Sequence, residues 1–353
     1  MTKLKKRIAA FVKLGNFLRD FSGKSIKSSE EMSLHQKFAI EFTKQIELAR
    51  QANGWFTNEN IMYAIDHWGT LLTEGNLIKW TQKYLIEPHT SKEVAIIMAG
   101  NIPLVGFHDL TCVLITGHHV LIKQSDSDKH ILPVIVSFLQ SVEPNFKDCI
   151  KFTNNQLKDF DAVIATGSDN TARYFDYYFR KKPHIIRKNR NSVAILTGNE
   201  SKEELSGLGE DIFRYFGLGC RSVSKIFFPE EYDFDVFFNA IFERNEIINH
   251  HKYANNYDYN KAVYLMSLFK LKDNGFLMLK EDNAFASPIA TVFYEHYTSD
   301  DSLKEYLKQY QDKIQCIVSS MPSKDHIPFG MSQKPELDAY ADGIDTIDFL
   351  LTI

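Results

Sequence analysis

The sequence predicts an α/β fold: a doubly wound parallel sheet followed by a second α/β domain, with a helical region in front of both. Three observations carry this reading. Residues 1–90 place apolar side chains at helical spacing, the stretch from Val94 to Phe179 alternates short strand-type runs with helical ones four times, and the same rhythm restarts at Ser192. Repeated strand-to-helix alternation implies parallel strands covered by helices on both faces, with ligands taken up beyond the carboxyl ends of the strands. The rhythm divides the chain into residues 1–90, a helical region packed on the first sheet domain; 91–190, that sheet domain; 191–325, the second α/β domain; and 326–353, a C-terminal return segment.

In the first region Leu4, Ile8, Phe11, Val12, Leu14, Leu18 and Phe21 recur on one helical face with lysines and arginines between them. Two readings of this helix stand: a membrane-surface or partner contact, or a helix packed on the body with a solvated basic face. A second helix follows Ser28 or Ser29, carries Phe38, Phe42 and Ile46 on one stripe, and ends at Asn53-Gly54, where positive φ is tolerated. Further helices cover Asn58 to Leu72 and Leu77 to Leu85. The sheet domain follows as a strand at Val94–Met98, a turn at Gly100-Asn101 and a helix from Leu104 to Ile115. Next come a strand at His119–Lys123, a helix from about Lys129 to Val142, strands at Cys149–Phe152 and Asp161–Ala165, and a helix to Phe179. The second domain reads as a strand at Ser192–Leu196, a helix from Lys202 to Phe216, the turn Gly217-Leu-Gly-Cys220 and a strand at Val223–Phe228. Helices at Phe234–Phe242 and around Asn249 to Phe269, then a strand at Ile289–Tyr294, complete it. Ile344 to Ile353 suits a strand or short helix.

Composition excludes several classes. A formal net charge of −4 gives no general attraction to nucleic acid. The four cysteines, Cys112, Cys149, Cys220 and Cys316, stand singly, without the paired spacings of a zinc site or a disulfide framework, which suits a reducing cytoplasm and no metal. Lys13 and Arg19 interrupt the apolar residues of the N-terminus, so no secretory core forms there, and no stretch approaches the roughly 20 apolar residues that span a bilayer.

Cys220 is the informative thiol, because Phe216-Gly-Leu-Gly-Cys-Arg-Ser222 is a glycine-flanked turn between a helix and a strand. Such a turn can present the sulfur to a ligand, and Arg221 or a nearby helix end can favour its thiolate; a buried, inert thiol is the competing reading, and the one the other three cysteines receive. Asn101, in Ala-Gly-Asn-Ile-Pro-Leu104, can point its amide into the cleft or cap the next helix. Lys123 precedes Gln-Ser-Asp-Ser-Asp128, which can bond ribose hydroxyls or cap a helix. Thr166-Gly-Ser168 opens a helix whose N–H groups can bind phosphate. No G-x-G-x-x-G occurs. His108 lies near the Asn101 turn and reads as a solvated or core-satisfied histidine.

Together these segments resemble the aldehyde dehydrogenase superfamily, and within it the LuxC-like acyl-CoA reductase family. Ala99-Gly-Asn-Ile-Pro-Leu104 resembles its Asn-containing turn, Val120-Leu-Ile-Lys-Gln-Ser-Asp126 its ribose-binding lysine strand, Ala165-Thr-Gly-Ser168 its phosphate turn and Gly217-Leu-Gly-Cys220 its nucleophile loop, in that order. Ser287-Pro-Ile289 and Pro328-Phe-Gly330 resemble two later turns. Residues 1–90, with Gly54-Trp-Phe-Thr57, resemble the LuxC-like branch alone. The resemblance implies an aldehyde dehydrogenase-like fold, a nicotinamide-dinucleotide domain at 91–190 and a catalytic domain at 191–325. It implies Cys220 as nucleophile, the Asn101 amide with the Cys220 N–H as oxyanion hole, Lys123 with Ser125 or Asp126 on the adenosine ribose, and Thr166, Gly167 and Ser168 on the pyrophosphate. The activity implied is reduction of acyl-CoA to an aldehyde by NADPH or NADH; Asp126 suits NADH, the resemblance NADPH. Homo-oligomer formation stays open. Where hydrolytic members carry a glutamate base this chain reads Ile186-Arg-Lys-Asn189, which favours reduction over hydrolysis. The acidic residue that steadies the nicotinamide ribose is replaced by Phe285 or Ala284. An acyl-phosphate substrate and a non-catalytic subunit are the competing readings.

Overall fold

The computed structural model describes residues 2–23 and 32–353, and the chain divides into two compact units, residues 1–188 with 336–353, and residues 189–335. In the first unit four helices, α1 (Lys3–Phe21), α2 (Met32–Ala52), α3 (Asn58–Leu71) and α4 (Glu74–Thr81), precede the sheet. The Ser28 or Ser29 start expected for the second helix lies outside the described residues. α1 buries Phe11, Leu14, Phe17 and Leu18, and the Phe17 ring stacks on Phe138 at 4.8 Å, so its apolar face belongs to the core. Removing such a ring from water contributes on the order of 2 kcal/mol. A Cβ at Gly15 of α1 would fall 2.2 Å from the Leu72 carbonyl oxygen, so glycine sets how closely the chain after α3 approaches. α4 begins earlier than its apolar pattern suggests, because the Thr73 hydroxyl accepts the Asn76 N–H at 3.2 Å and caps it there.

The sheet is built from β1 (Glu93–Ile97), α5 (Phe107–Thr116), β2 (His119–Lys123), α6 (Ile131–Val142), α7 (Phe146–Cys149), β3 (Ile150–Phe152), β4 (Ala162–Thr166), α8 (Asp169–Phe179) and β5 (His184–Arg187). Its five strands lie in the order β3-β2-β1-β4-β5, all parallel, so the chain winds outward from β1 and then crosses back past it. That crossing is the switch point of a doubly wound sheet. Cys149 closes the short turn of α7 instead of opening the strand. The C-terminal segment returns to this unit: His118 shares a hydrogen bond with the Leu350 carbonyl at 2.8 Å, and the Trp80 indole donates to the Tyr340 hydroxyl at 2.8 Å.

The second unit contains β6 (Asn191–Ile195), α9 (Lys202–Phe213), β7 (Val223–Pro229), α10 (Phe234–Ile241), α11 (His251–Met266), β8 (Leu271–Asp273), β9 (Met278–Glu281), β10 (Thr291–Tyr297), α12 (Asp300–Gln309), β11 (Ile314–Val318) and β12 (His326–Ile327). Its seven strands run β12-β11-β6-β7-β10-β9-β8, parallel except for β8. A capping box starts α9: Ser201 and Glu204 bond each other's backbone N–H. The last helix of the chain, α13 (Thr346–Leu351), lies in the first unit and settles the strand-or-helix alternative at the C-terminus.

Candidate active site

In the first unit the register pairs Ile97 of β1 with Lys123 of β2 and with Ala165 of β4, so three candidate segments leave the sheet side by side at its carboxyl edge. Asn101 is exposed there. The turn behind it is fixed from within. Leu104 takes a left-handed φ of 59°, and its N–H donates at 3.0 Å to Asp128, which is buried and pushed up to about 6 by that burial. This bend delays α5 to Phe107, three residues after the expected start. The Asn53 amide donates to the carbonyls of Gly100 at 3.4 Å and Ser127 at 3.3 Å, tying the two turns together. A Cβ at Gly100 would lie 2.6 Å from the Ser125 hydroxyl, so only glycine lets the Asn101 turn meet the Ser125 turn.

Lys123 donates to the Asn155 carbonyl at 3.3 Å, beside a surface pocket of about 430 Å³ lined by Leu121, Thr153, Asn155, Gln156 and Lys158. Asp126 is exposed and Ser125 half-buried. Ser168 caps α8, accepting the Thr171 N–H at 3.4 Å, and the Gly167 N–H is already taken by the Arg187 carbonyl at 3.4 Å. A Cβ at Gly167 would stand 3.0 Å from the Thr171 side chain, so the turn before the helix is a close-fitting glycine cradle. A lysine, a carboxylate, hydroxyls and a helix N-terminus along one sheet edge fit the ribose and phosphates of a dinucleotide. Arg187, in the segment where hydrolytic members carry a glutamate base, is buried in an ion pair with Asp109 and donates to the Thr346 hydroxyl at 3.1 Å.

In the second unit the helix expected to run through Phe216 stops at Phe213. Tyr215 and Phe216 both take left-handed backbone, φ 55° and 57°, followed by Gly217 at 75°. For non-glycine residues that conformation costs about 1–2 kcal/mol each, which packing must offset. Both rings are buried, and Phe216 lies 4.3 Å from the His250 ring. The Gly219–Ser222 turn then closes through a 2.9 Å bond from the Ser222 N–H to the Gly219 carbonyl, with Cys220 exposed. The helix end before it is a carboxyl end, which carries the wrong sign of charge to favour a thiolate.

Polar groups that the pattern of the sequence hides support this turn. Asp211, on the buried stripe of α9, accepts the N–H groups of Gly330 at 2.6 Å and Ser332 at 2.9 Å, and burial pushes it up to about 6. It anchors the Pro328-Phe-Gly330 turn, whose next residues reach back: the Gln333 amide donates to the Ser222 hydroxyl at 3.2 Å and Arg221 to the Ser332 carbonyl at 3.5 Å. Lys225 of β7, fully buried, directs its three N–H donors to Glu295 and to the carbonyls of Asp282 at 3.0 Å and Ala284 at 3.4 Å. Ser224 donates to the Phe285 carbonyl at 2.7 Å. The loop in which Ala284 and Phe285 replace an acidic side chain is therefore pinned along its backbone. Cys112, Cys149 and Cys316 are raised by burial, and Cys112 and Cys316 lie in the core. His108 shares a hydrogen bond with the Leu337 carbonyl at 2.8 Å, a core-satisfied histidine. Among the described residues no group of three or more His, Cys, Asp or Glu is arranged to hold a metal ion, and no helix is long and apolar enough to cross a membrane.

Residues 90–248, which include every segment just described from β1 through the Cys220 turn to α10, match the family profile of acyl-CoA reductase (LuxC). Over this stretch, a little under half of its length, the chain resembles the LuxC-like acyl-CoA reductases. No curated protein matches the sequence. Among solved structures, this LuxC-like chain is similar to an NAD+ complex of an aldehyde dehydrogenase from Bacillus cereus (TM-score 0.63, 14% identity, 99% of this chain and 83% of that one). It is also similar to an oxidoreductase from Marinobacter aquaeolei (0.65, 12%, 98% and 81%). A third is an aldehyde dehydrogenase of Pseudomonas syringae in complex with NAD+ and octanal (0.61, 11%, 91% and 78%). At these identities the likeness shows the aldehyde dehydrogenase fold. The LuxC-like chain is an acyl-CoA reductase, a nicotinamide-linked oxidoreductase acting on acyl and aldehyde substrates.

Proposed function

We propose that the chain reduces acyl-CoA through an acyl thioester on Cys220, with NADPH as cofactor. The contrast among its four thiols carries the reading: three are held up by burial, while Cys220 stands exposed on a strained, multiply anchored turn. The Cys220 thiolate bonds to the acyl carbon, the bond to the coenzyme A sulfur breaks, and coenzyme A leaves as its thiolate. The Asn101 amide and the Cys220 N–H donate to the oxygen that gains charge in that step. The cofactor supplies the hydride that takes the thioester to the aldehyde level. Cleavage of the carbon–sulfur bond to Cys220 then releases aldehyde and restores the thiolate. Arg187 offers no base to activate water, so the thioester persists until it is reduced or returned to a thiol.

Lys123, with Ser125 and Asp126, holds the adenosine ribose, and Thr166 and Ser168 the pyrophosphate, with Gly167 leaving room for its close approach. NADPH is favoured because the pocket beside Lys123 offers room and the exposed Lys158 for a 2′-phosphate. Four singly placed cysteines suit a cytoplasmic chain, and a homo-oligomer is its proposed state, checked by light scattering.

Incubated with a panel of acyl-CoA lengths and no cofactor, the protein should gain one acyl group on Cys220 by mass spectrometry, and NADPH should release it as aldehyde. Aldehyde formation by Cys220→Ala at the wild-type rate, or acylation by acyl phosphates alone, would overturn the proposal.

A further inference from the structure

The second unit carries two local irregularities at one level of its sheet. β6 pairs Ser192 with Val223 but Val193 with Lys225, so β7 inserts one extra residue, Ser224. On the other side Asn191 pairs with Ile314 and Val193 with Ile317, so β11 sets two residues, Gln315 and Cys316, against Ser192. Bulges of this kind re-aim side chains beside functional sites. Here two of them flank one fully buried serine.

The Ser192 hydroxyl lies 3.0 Å from the Cys220 carbonyl and 2.9 Å from the Cys316 sulfur. A carbonyl only accepts, so the single hydroxyl proton of Ser192 is donated to Cys220. The second contact must then run the other way, with the Cys316 S–H donating to the Ser192 oxygen. The bonds form one directed chain, from thiol to hydroxyl to the carbonyl of the nucleophile's own peptide. We propose that Ser192 is the positioning residue for Cys220, and that Cys316, otherwise an unused buried thiol, sets the direction of its hydroxyl.

The chain draws the Cys220 carbonyl inward, which fixes the peptide plane on which the exposed sulfur is mounted. It also keeps that carbonyl dipole turned away from the face where a thiolate and then an oxyanion gather negative charge. Burial raises the Cys316 thiol and keeps it a donor across the neutral range. Ser192 touches no reacting atom, and its effect runs through Cys220.

The inference rests on Cys220 as nucleophile, and its test is separate from turnover. The probe is iodoacetamide, with alkylation of the Cys220 peptide followed by mass spectrometry over a range of pH. Ser192→Ala should slow Cys220 alkylation at least fivefold and move the midpoint of its pH profile upward in the folded protein. Cys316→Ala should show a smaller slowing, Cys316→Ser should restore the wild-type profile, and the double alanine variant should be no slower than Ser192→Ala. Should Ser192→Ala not fold, the Cys316→Ala and Cys316→Ser pair decides alone. An alkylation profile in folded Ser192→Ala or Cys316→Ala equal to wild type, or failure of Cys316→Ser to restore it, would overturn the inference. A wild-type protein alkylated at Cys220 but never acylated by acyl-CoA would instead refute the enzymatic reading.

Discussion

The two units place their candidate residues at opposite ends of parallel strands. In the first, Asn101, Lys123 to Asp126 and Thr166 to Ser168 stand past the carboxyl ends, where the next helix begins and backbone N–H groups and the positive end of a dipole are ready for an anion. In the second, Cys220 precedes the amino end of β7, reached from the carbonyl end of α9. Backbone alone gives the wrong sign of charge there. Side chains anchor the loops around it instead: Ser192 on the Cys220 carbonyl, Asp211 on the Gly330 turn and Lys225 on the 282–284 backbone. One edge uses what a doubly wound sheet provides, and the other has to be built residue by residue.

The largest effects come from removing what each edge presents. Cys220→Ala should leave no acyl adduct and no measurable aldehyde, while Cys112→Ala and Cys149→Ala retain both, as read by mass spectrometry and NADPH consumption. Asn101→Ala removes a donor to developing charge, for which losses of about 3 kcal/mol of barrier are typical, so kcat should fall about a hundredfold with the thermal midpoint little changed. Equal loss in the two variants would mean that Asn101 shapes the turn and does more than donate a hydrogen bond.

This division also explains what was legible in the sequence. Strand and helix alternation, and therefore the edge at Asn101, Lys123 and Thr166, follows from local apolar period and glycine turns. Cys220 itself was legible because Gly217 and Gly219 flank it. Its supports were not. Asp211 sits on a stripe with Leu208 and Ile212 and looks like an interruption of a helix; only the fold brings Gly330 and Ser332 onto its carboxylate. Tyr215 and Phe216 have no composition that announces left-handed backbone. Strands β8, β9, β11 and β12 are two to five residues long, too short for their period to stand out from loop, and without β11 the contact between Ser192 and Cys316 has no sequence signal. The start of α5 at Phe107 depends on Asp128, 24 residues from Leu104, a partner that the Ile-Pro pattern does not reveal.

Both edges nonetheless share one device, a buried carboxylate accepting the N–H of a left-handed residue, Asp128 for Leu104 and Asp211 for Gly330. Each is pushed up to about 6 from 3.8 by burial. A raised folded-state value means the folded protein binds the proton more tightly, so this stability is full below the unfolded value of 3.8 and is lost as pH rises through about 6. For one group the change is about 3 kcal/mol. In the first unit His118, lowered by burial to about 4 from 6.5, works the other way, losing stability as pH falls through the same window and offsetting Asp128. Asp211→Asn should therefore flatten the fall in urea stability between about pH 4 and pH 7. An unchanged slope in Asp211→Asn would show that the folded protein already solvates that carboxylate.

The smallest expected effect tests the accessible edge alone. Lys158 is exposed beside the pocket that receives the Lys123 strand, and an exposed cation facing a phosphate contributes about 1 kcal/mol. Lys158→Ala should then lower kcat/KM with NADPH about fivefold and leave that with NADH unchanged, and the difference should shrink as salt is added. The acylation of Cys220, measured without cofactor, should not move. If both cofactors lose equally, the pocket serves the shared ribose and diphosphate instead of a 2′-phosphate. Selectivity would then lie with Asp126, whose carboxylate repels the extra phosphate.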